Sequence, residues 1–315
     1  MAEEKEAEYY SRDFEWEELR DEIEKDSSLS YHVDPFLSSS SSPPSLESEA
    51  WRRFHRRHAT GRFFKERRYL LKEFPELVSC GDSVKVLEVG CGNGSTVLPI
   101  LRASQTIVVY GCDCSEDIIE KAKEIVATSN GVPVKNHFLP FVLDLSVDNF
   151  PDWLFCMSCQ SSSNENRTLS QDANQENLTR SDPSSLGENQ CCVGGVDIVT
   201  LIFTLSAVPF NKMSLIIEKC LSVLKPGGLV LFRDYGLYDM TMLRFLPDQR
   251  VGYREYMRSD GTLSYFFSLD IVRDLFVTAG FIKLELEYCR VRSVNHRNGK
   301  KMRRVWVHGK FQKPI

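Results

Sequence analysis

Residues 85–101 read KVLEVGCGNGSTVLPIL: an apolar run, three glycines at alternate positions (Gly90, Gly92 and Gly94), then a helix-like apolar stretch. A strand that feeds a glycine turn and then a helix is a ligand cradle. The bare backbone there adopts positive φ and admits a ligand without Cβ clashes. In open α/β sheets the ligand lies over the carboxyl ends of the strands, and an acid closing the second strand, here Asp113, hydrogen-bonds a ribose diol.

The alternation continues outward from this unit. TIVVYGC is a strand, and 116–128 is a helix opened by Ser115 with acids in its first turn. HFLPFVL is a strand. VDIVTLIFTL is a nearly continuous apolar run, the mark of a strand buried on both sheet faces. NKMSLIIEKCLSVL is a helix stopped by Lys225-Pro226-Gly227-Gly228, and LVLFRDY is a strand. A helix over 268–279 and the strands FIKLELEYCRV and MRRVWVHGKFQ end the chain. In the last strand Arg303, Val305 and Val307 alternate with Arg304, Trp306 and His308. The pattern predicts an open α/β sheet of seven strands, mostly parallel, closed by an antiparallel β-hairpin. Three regions are expected. Residues 1–50 are an acidic, Ser/Pro-rich flexible region, and 51–80 a basic helical extension. Residues 81–315 form the α/β domain, with a Ser/Asn/Gln-rich insertion at 156–194 read as disordered.

Composition narrows the class. The chain has 315 residues, 42% hydrophobic, and no apolar run of the roughly 18 residues a membrane span needs. The amino terminus lacks an apolar signal core, so a cytoplasmic protein is expected, with nuclear residence also allowed. The net charge of −5 hides segregation: the first 26 residues carry twelve acids against four bases, whereas 51–72 carry nine bases against Glu66 alone, and 289–314 are basic without an acid. Such local basic surfaces point to a polyanionic partner better than the overall charge does. Ten cysteines in a chain of this size read as buried thiols rather than a disulfide scaffold. Cys156-x-x-Cys159 is followed only by the adjacent pair Cys191-Cys192, a poor second arm for zinc, so no metal site is expected.

The glycine spacing selects among ligands. A pyrophosphate dinucleotide wants G-x-G-x-x-G, but the last position of that pattern is Ser95. The order is instead Glu88-x-Gly90-x-Gly92-x-Gly94. An acid two residues before the first glycine repels pyrophosphate and suits a cation. S-adenosylmethionine, with a sulfonium, an ammonium and no phosphate, fits that site, and Asp144 after the third strand reaches its adenine side. A nicotinamide site and a plain tight turn are the competing readings.

At this point the chain resembles the class I S-adenosylmethionine-dependent methyltransferases. More narrowly it is similar to the methyltransferase-like enzymes that form N3-methylcytidine in the anticodon loop of tRNA. The resemblance is carried by RFFKERRYLLKEFPEL, LEVGCGNGSTVLPIL, LIFTLSAV, LKPGGLVLFRDYGLYDMTMLRF, SDGTLSYFF and RRVWV. It implies a Rossmann-like class I methyltransferase fold with an N-terminal helical extension. The cofactor contacts it implies are Trp51, His55, Gly90, Asp113, Asp144, Leu145 and Ile202, which join Glu88, Gly92 and Gly94. The family usually carries Tyr at the place of His55, Asn at Gly61, Trp at Tyr69, and His-Pro where this chain has Pro209-Phe210. It also implies that some members need an aminoacyl-tRNA synthetase or another protein to choose their tRNA.

The expected reaction is an SN2 methyl transfer to an in-plane nitrogen lone pair, which needs little help from a general base, and none is assigned. Asp234 is the candidate for stabilising the charge that develops, its bland alternative being an ion pair with Arg233 or another arginine. Arg62, Phe63, Phe64, Lys65, Arg67, Arg68, Arg233, Tyr235 and Arg244 have the composition of an RNA contact surface, cations for phosphate and aromatics for bases. Two rivals stand beside this reading: a methyltransferase acting on a small molecule or protein, and a non-catalytic RNA-binding adaptor with the same fold.

Overall fold

A computed structural model describes residues 11–35, 47–58, 65–79, 81, 83–130, 137–156, 191–294, 299 and 301–315. Arg62, Phe63, Phe64 and most of the expected insertion lie outside the described residues. The chain begins with helix α1 (Trp16–Lys25), the short turn α2 (Ser30–Val33) and α3 (Glu47–Arg57). Two further turns, α4 (Leu70–Glu73) and α5 (Glu76–Ser79), lead into the sheet. Then follow β1 (Lys85–Val89), α6 (Val97–Ala103), β2 (Val108–Asp113), α7 (Glu116–Thr128) and β3 (Phe138–Val142). The second half holds β4 (Val196–Ile202), α8 (Phe210–Val223), β5 (Leu224–Tyr235), α9 (Leu269–Thr278), β9 (Ile282–Val294) and β10 (Lys301–Gln312). Between β5 and α9 lie three short strands, β6 (Arg250–Gly252), β7 (Glu255–Met257) and β8 (Leu263–Tyr265).

The main sheet has seven strands in the order β3-β2-β1-β4-β5-β10-β9. β1 to β5 run parallel, and β10 pairs antiparallel with both β5 and β9. The expected seven-stranded architecture is therefore the one observed. The strand order reverses at β1/β4, which puts the ligand crevice above the carboxyl ends of those two strands. One sheet face packs α8 and α9 through Met213, Ile217, Val272 and Phe276. The other packs α4 and α6 through Leu70, Phe74, Ile100 and Leu101. The three-stranded sheet β6-β7-β8 was not foreseen, because three-residue strands carry too few side chains to show a period of two.

Residues 11–35 are not the flexible tail expected from their composition. Trp16 stacks on Tyr288 at 5.0 Å and Tyr238 at 5.8 Å, and its indole N–H donates to the Leu237 carbonyl at 3.2 Å. Arg290 and Asp13 donate their backbone N–H groups to Ser11 and Arg290 carbonyls, so the segment covers part of the exposed edge of β9. Its acids meet bases of the terminal hairpin, Glu15 pairing with Arg290 at 2.9 Å and Glu22 with Arg303 at 2.7 Å, and one pair is reversed, Arg12 with Glu287. The two oppositely charged ends of the chain thus face one another, and much of the basic C-terminal surface is used internally.

Beneath the N-terminal extension lies a fully buried charge network. Arg233 of β5 donates to Glu73 at the end of α4, and His308 of β10 shares Glu73 at 3.0 Å. Burial works against the Arg233 guanidinium, but Glu73 outweighs it and keeps the charge. Arg233 is therefore a strut of the fold and not an RNA contact. It does not pair with Asp234 either, because successive strand residues point to opposite faces. Removing one partner leaves an uncompensated buried charge. Glu73→Ala should lower unfolding free energy in urea by about 3–5 kcal/mol, whereas the apolar pair Glu73→Leu with Arg233→Met should recover most of it. Equal losses in both variants would show that the network is not what ties α4 to the sheet.

Candidate functional site

The three glycines are bare for three different reasons. Gly90 has φ +70°, and a Cβ there would lie 2.6 Å from Thr204, whose hydroxyl donates to the Val89 carbonyl at 2.8 Å. Gly92 has φ +51° with open space where a Cβ would stand, so its backbone faces the crevice. Gly94 has φ +79° and packs under Val126 and Ala122 of α7. Only the first two border the cleft; Gly94 is required by its positive φ, since a Cβ there would make only ordinary contacts. Asp113, at the end of β2, accepts the Gly92 N–H at 3.1 Å and the Ser115 N–H at 3.1 Å. Its carboxylate is thereby held in place with lone pairs left for a diol.

A cleft of about 650 Å³ runs over this turn, and α3 lies along it as a strap. Trp51 donates its indole N–H to the Ala207 carbonyl at 3.3 Å. Arg52 donates to the Cys114 carbonyl at 3.1 Å and approaches Asp144 at 3.7 Å. His55 Nε2 stands 3.8 Å from Asp113. Positions 51, 52 and 55 share one helical face, so a single helix reaches the ends of β2, β3 and β4 at once. Burial lowers the His55 pKa more than Asp113 raises it, so the ring is neutral at neutral pH. Burial pushes the Asp144 carboxyl up, but donors from Ser146 and Ser48, helped by Arg52, outweigh it and hold the acid below its ordinary value. Leu145 and Ile202 line the apolar walls. Trp51, His55, Gly90, Gly92, Asp113, Asp144, Leu145 and Ile202 therefore all border one cleft.

Glu88 is buried directly behind the glycine turn. Neither carboxylate oxygen makes a hydrogen bond of normal geometry. Burial pushes its pKa up to about 7, opposed mainly by Arg67 and the nearby Thr96 hydroxyl. An orphaned carboxylate costs free energy unless a cation or donor satisfies it. Glu88 does not line the cleft, so the direct contact expected of it is not made; it sets a negative charge behind the turn, while the open space at Gly92 and the anchored Asp113 fit a cationic ligand that carries a ribose.

The far end of the cleft is aromatic. Phe203, strained at φ +55°, and Tyr235 meet at 5.1 Å, and Trp306 sits opposite Tyr235 in the β10–β5 ladder. The Arg67 guanidinium lies 5.5 Å over Phe203, and Arg258 and Arg304 border the same cleft. Asp234 does not border it. It is fully buried, and it accepts the Ser206 and Tyr235 N–H groups at 2.9 and 2.8 Å. Burial pushes its pKa up to about 6 against those donors. The residue expected to stabilise developing charge directly instead fixes the turn after β4. Lys65 is exposed where it lines the cleft, Arg68 is exposed and pairs with Glu66 at 3.3 Å, and Arg244 is exposed beside Met302. Sequence reasoning missed Tyr69, Phe203, Thr204, Arg258, Arg304 and Trp306. The alternation of Arg304, Trp306 and His308 did place the first two on a common face, but not which surface that face would meet.

A methyltransferase domain model matches residues 55–286. The human tRNA N(3)-cytidine methyltransferase METTL6 is 36% identical over 276 residues, 85% of this chain and 82% of that protein. The Drosophila melanogaster tRNA N(3)-methylcytidine methyltransferase Mettl2 is 35% identical over 84% of this chain and 71% of its own. Among solved structures, a SAM-dependent methyltransferase from Anabaena variabilis shares the fold, with a TM-score of 0.55 at 13% identity, over 88% of this chain and 99% of that one.

Two outcomes follow from the cradle. Asp113→Ala should abolish binding of S-adenosylmethionine in calorimetry while leaving tRNA affinity intact; unchanged binding would remove Asp113 from the ribose. The raised Glu88 pKa has a definite sign. The ligand-free fold gains from a protonated Glu88 below about 4.5 and loses that contribution as pH climbs through about 7. Ionising Glu88 adds a negative charge behind the turn, so affinity for a cationic ligand should rise from pH 5.5 to 7. Glu88→Gln should flatten that rise, and a persistent slope in the variant would place the titration elsewhere.

Proposed function

The chain belongs to the tRNA N(3)-cytidine methyltransferases, and from that premise we propose how the cleft over the glycine turn carries the reaction. It is an S-adenosylmethionine-dependent enzyme that forms N3-methylcytidine in tRNA. When bound, S-adenosylmethionine supplies an electrophilic methyl on a sulfonium. Gly90 and Gly92 let it lie against the main chain, Asp113 takes its ribose, and Asp144, Leu145 and Ile202 wall its adenine. Trp51 and His55 cover it from α3, which excludes water from the reacting end.

The observation that carries the reading is continuity: the glycine cradle and the aromatic chamber of Phe203, Tyr235 and Trp306 are parts of the same cleft. A cytidine flipped out of a single-stranded loop stacks on Phe203 or Tyr235. The anticodon loop offers such a base. Cytosine N3 presents a lone pair in its ring plane, so the chain's task is alignment, which contributes about 7–11 kcal/mol when geometry is good. Transfer moves positive charge onto the base, and the π-faces around it favour that cation. The Asp234 carboxylate acts at one remove, holding Ser206 and so the floor of the chamber. Lys65 and the exposed Arg68 meet phosphates, and Arg67, which also binds Thr96 at 3.1 Å, joins the two halves. A specificity partner such as an aminoacyl-tRNA synthetase would select the tRNA.

Purified protein with labelled cofactor and total tRNA, alone and with cell extract, should yield N3-methylcytidine by nucleoside mass spectrometry. Label in protein or small molecules instead of tRNA would sink the assignment. Tyr235→Ala should cost about 1–3 kcal/mol in kcat/KM through lost base stacking, with cofactor affinity unchanged. Lys65→Ala should weaken tRNA binding and reduce the salt slope by about one.

A further inference from the structure

Away from the cleft, the thiols of Cys156, Cys191 and Cys192 converge just before β4, at the opposite end of that strand from Thr204 and Ser206. Their three sulfurs lie within 4.8 Å of one another. Cys156 Sγ is 3.5 Å from Cys191 Sγ, which is 4.0 Å from Cys192 Sγ. Thiolates bound to one tetrahedral zinc at about 2.3 Å stand about 3.8 Å apart, between those two values. The adjacency of Cys191 and Cys192 argued against a metal on sequence grounds. The turn before β4 removes that objection, since both sulfurs reach the same point as Cys156.

A second, independent feature points to a ligand. The Gly194 N–H donates to Cys192 Sγ at 3.3 Å. A backbone donor on sulfur is the kind of outer contact that orients and stabilises a metal-bound thiolate. Lys85 Nζ donates to the Val193 carbonyl at 2.6 Å, which places an ammonium one residue away to offset the anionic cluster. The chain geometry is fixed around it: the Val193 and Gly195 N–H groups bind the Trp153 and Leu154 carbonyls at 2.7 and 3.0 Å. The arms that carry Cys156 and Cys192 are thus already zipped together.

We infer that Cys156, Cys191 and Cys192 form a zinc–thiolate site that clamps the base of the segment between residues 156 and 191 onto the start of β4. Three soft sulfur ligands in tetrahedral spacing select zinc among common divalent ions, and binding releases the thiol protons to solvent. None of the three borders the catalytic cleft, so the metal would take no part in methyl transfer, and a solvent molecule would complete its fourth position. Its effect is to fix two chain positions 35 residues apart.

The full chain, purified without chelators, should carry about one zinc per molecule by elemental mass spectrometry. Cys191→Ser and Cys192→Ser should each drop to background, while Cys114→Ser retains the metal. Cobalt exchange should give a thiolate charge-transfer band in the wild type and none in the two variants. Should a variant fail to fold, mercurial titration of the wild type gives the second readout: zinc should appear in step with modification of these three thiols. Three results overturn the proposal: a wild type that neither holds zinc nor takes up one equivalent, iron or copper in its place, or a Cys156–Cys191 disulfide in peptide maps.

Discussion

The main chain at Gly90 has no room for a side chain, and the rest of the site is arranged around that constraint. Thr204 fills the space where a Cβ would stand while bonding back to Val89, so the ends of β1 and β4 are locked edge to edge. The turn that follows then directs the Gly92 N–H at Asp113, which fixes the acid of β2 without help from any ligand. Preorganisation of this kind means that binding a ribose costs little reordering of the protein. Gly94 completes the turn that leads into α6. A methyl group at position 94 would meet Val126 and Val97 in ordinary contact, so there the positive φ is the stricter demand.

The N-terminal extension is bound to the sheet by charge that has been removed from water. Arg233, Glu73 and His308 form a linked set that continues through His308 to Glu285, and Tyr69 and Trp306 flank the guanidinium at 4.9 and 4.6 Å. Such a set stabilises less than an apolar core of equal volume would. It is directional, however, and it fixes where α4 sits. That placement puts Arg67 between Thr96 of the glycine turn and Phe203 of the aromatic chamber. The same strand sends Asp234 to the other face, where it anchors Ser206. Two neighbouring ionic residues thus set two walls of one cleft from opposite sides of the sheet.

Charge segregation along the chain turns out to have two meanings. The acids of residues 11–26 and the bases of β9 and β10 are partners across the fold, and their ion pairs are exposed enough to contribute little energy each. Lys65 and Arg67 line the cleft, and Arg52 bonds the Cys114 carbonyl beside it. Composition alone could not separate these cases, because a run of like charge carries no record of what faces it. The same blindness explains the misreading of Arg233. Its position in an apolar strand argued for burial, but an arginine is buried only if a distant carboxylate arrives, and Glu73 is 160 residues away.

The seven strands, their order of types and the glycine cradle were legible in the sequence because each is a local pattern. Periods of 2 and 3.6, capping residues and spacing along the chain do not depend on what lies opposite. Asp113 and Asp144 were legible for the same reason, since each follows a strand whose end must face the crevice. The sequence by itself therefore determined the fold class and the cofactor half of the site. Only tertiary structure decided which half-buried charges pair internally, that α3 straps the cleft, that Phe203, Tyr235 and Trp306 form one chamber, and that three cysteines meet. Each of these depends on contacts between residues far apart in the chain, and such contacts are set by the packing of whole elements rather than by any spacing that a single segment can display.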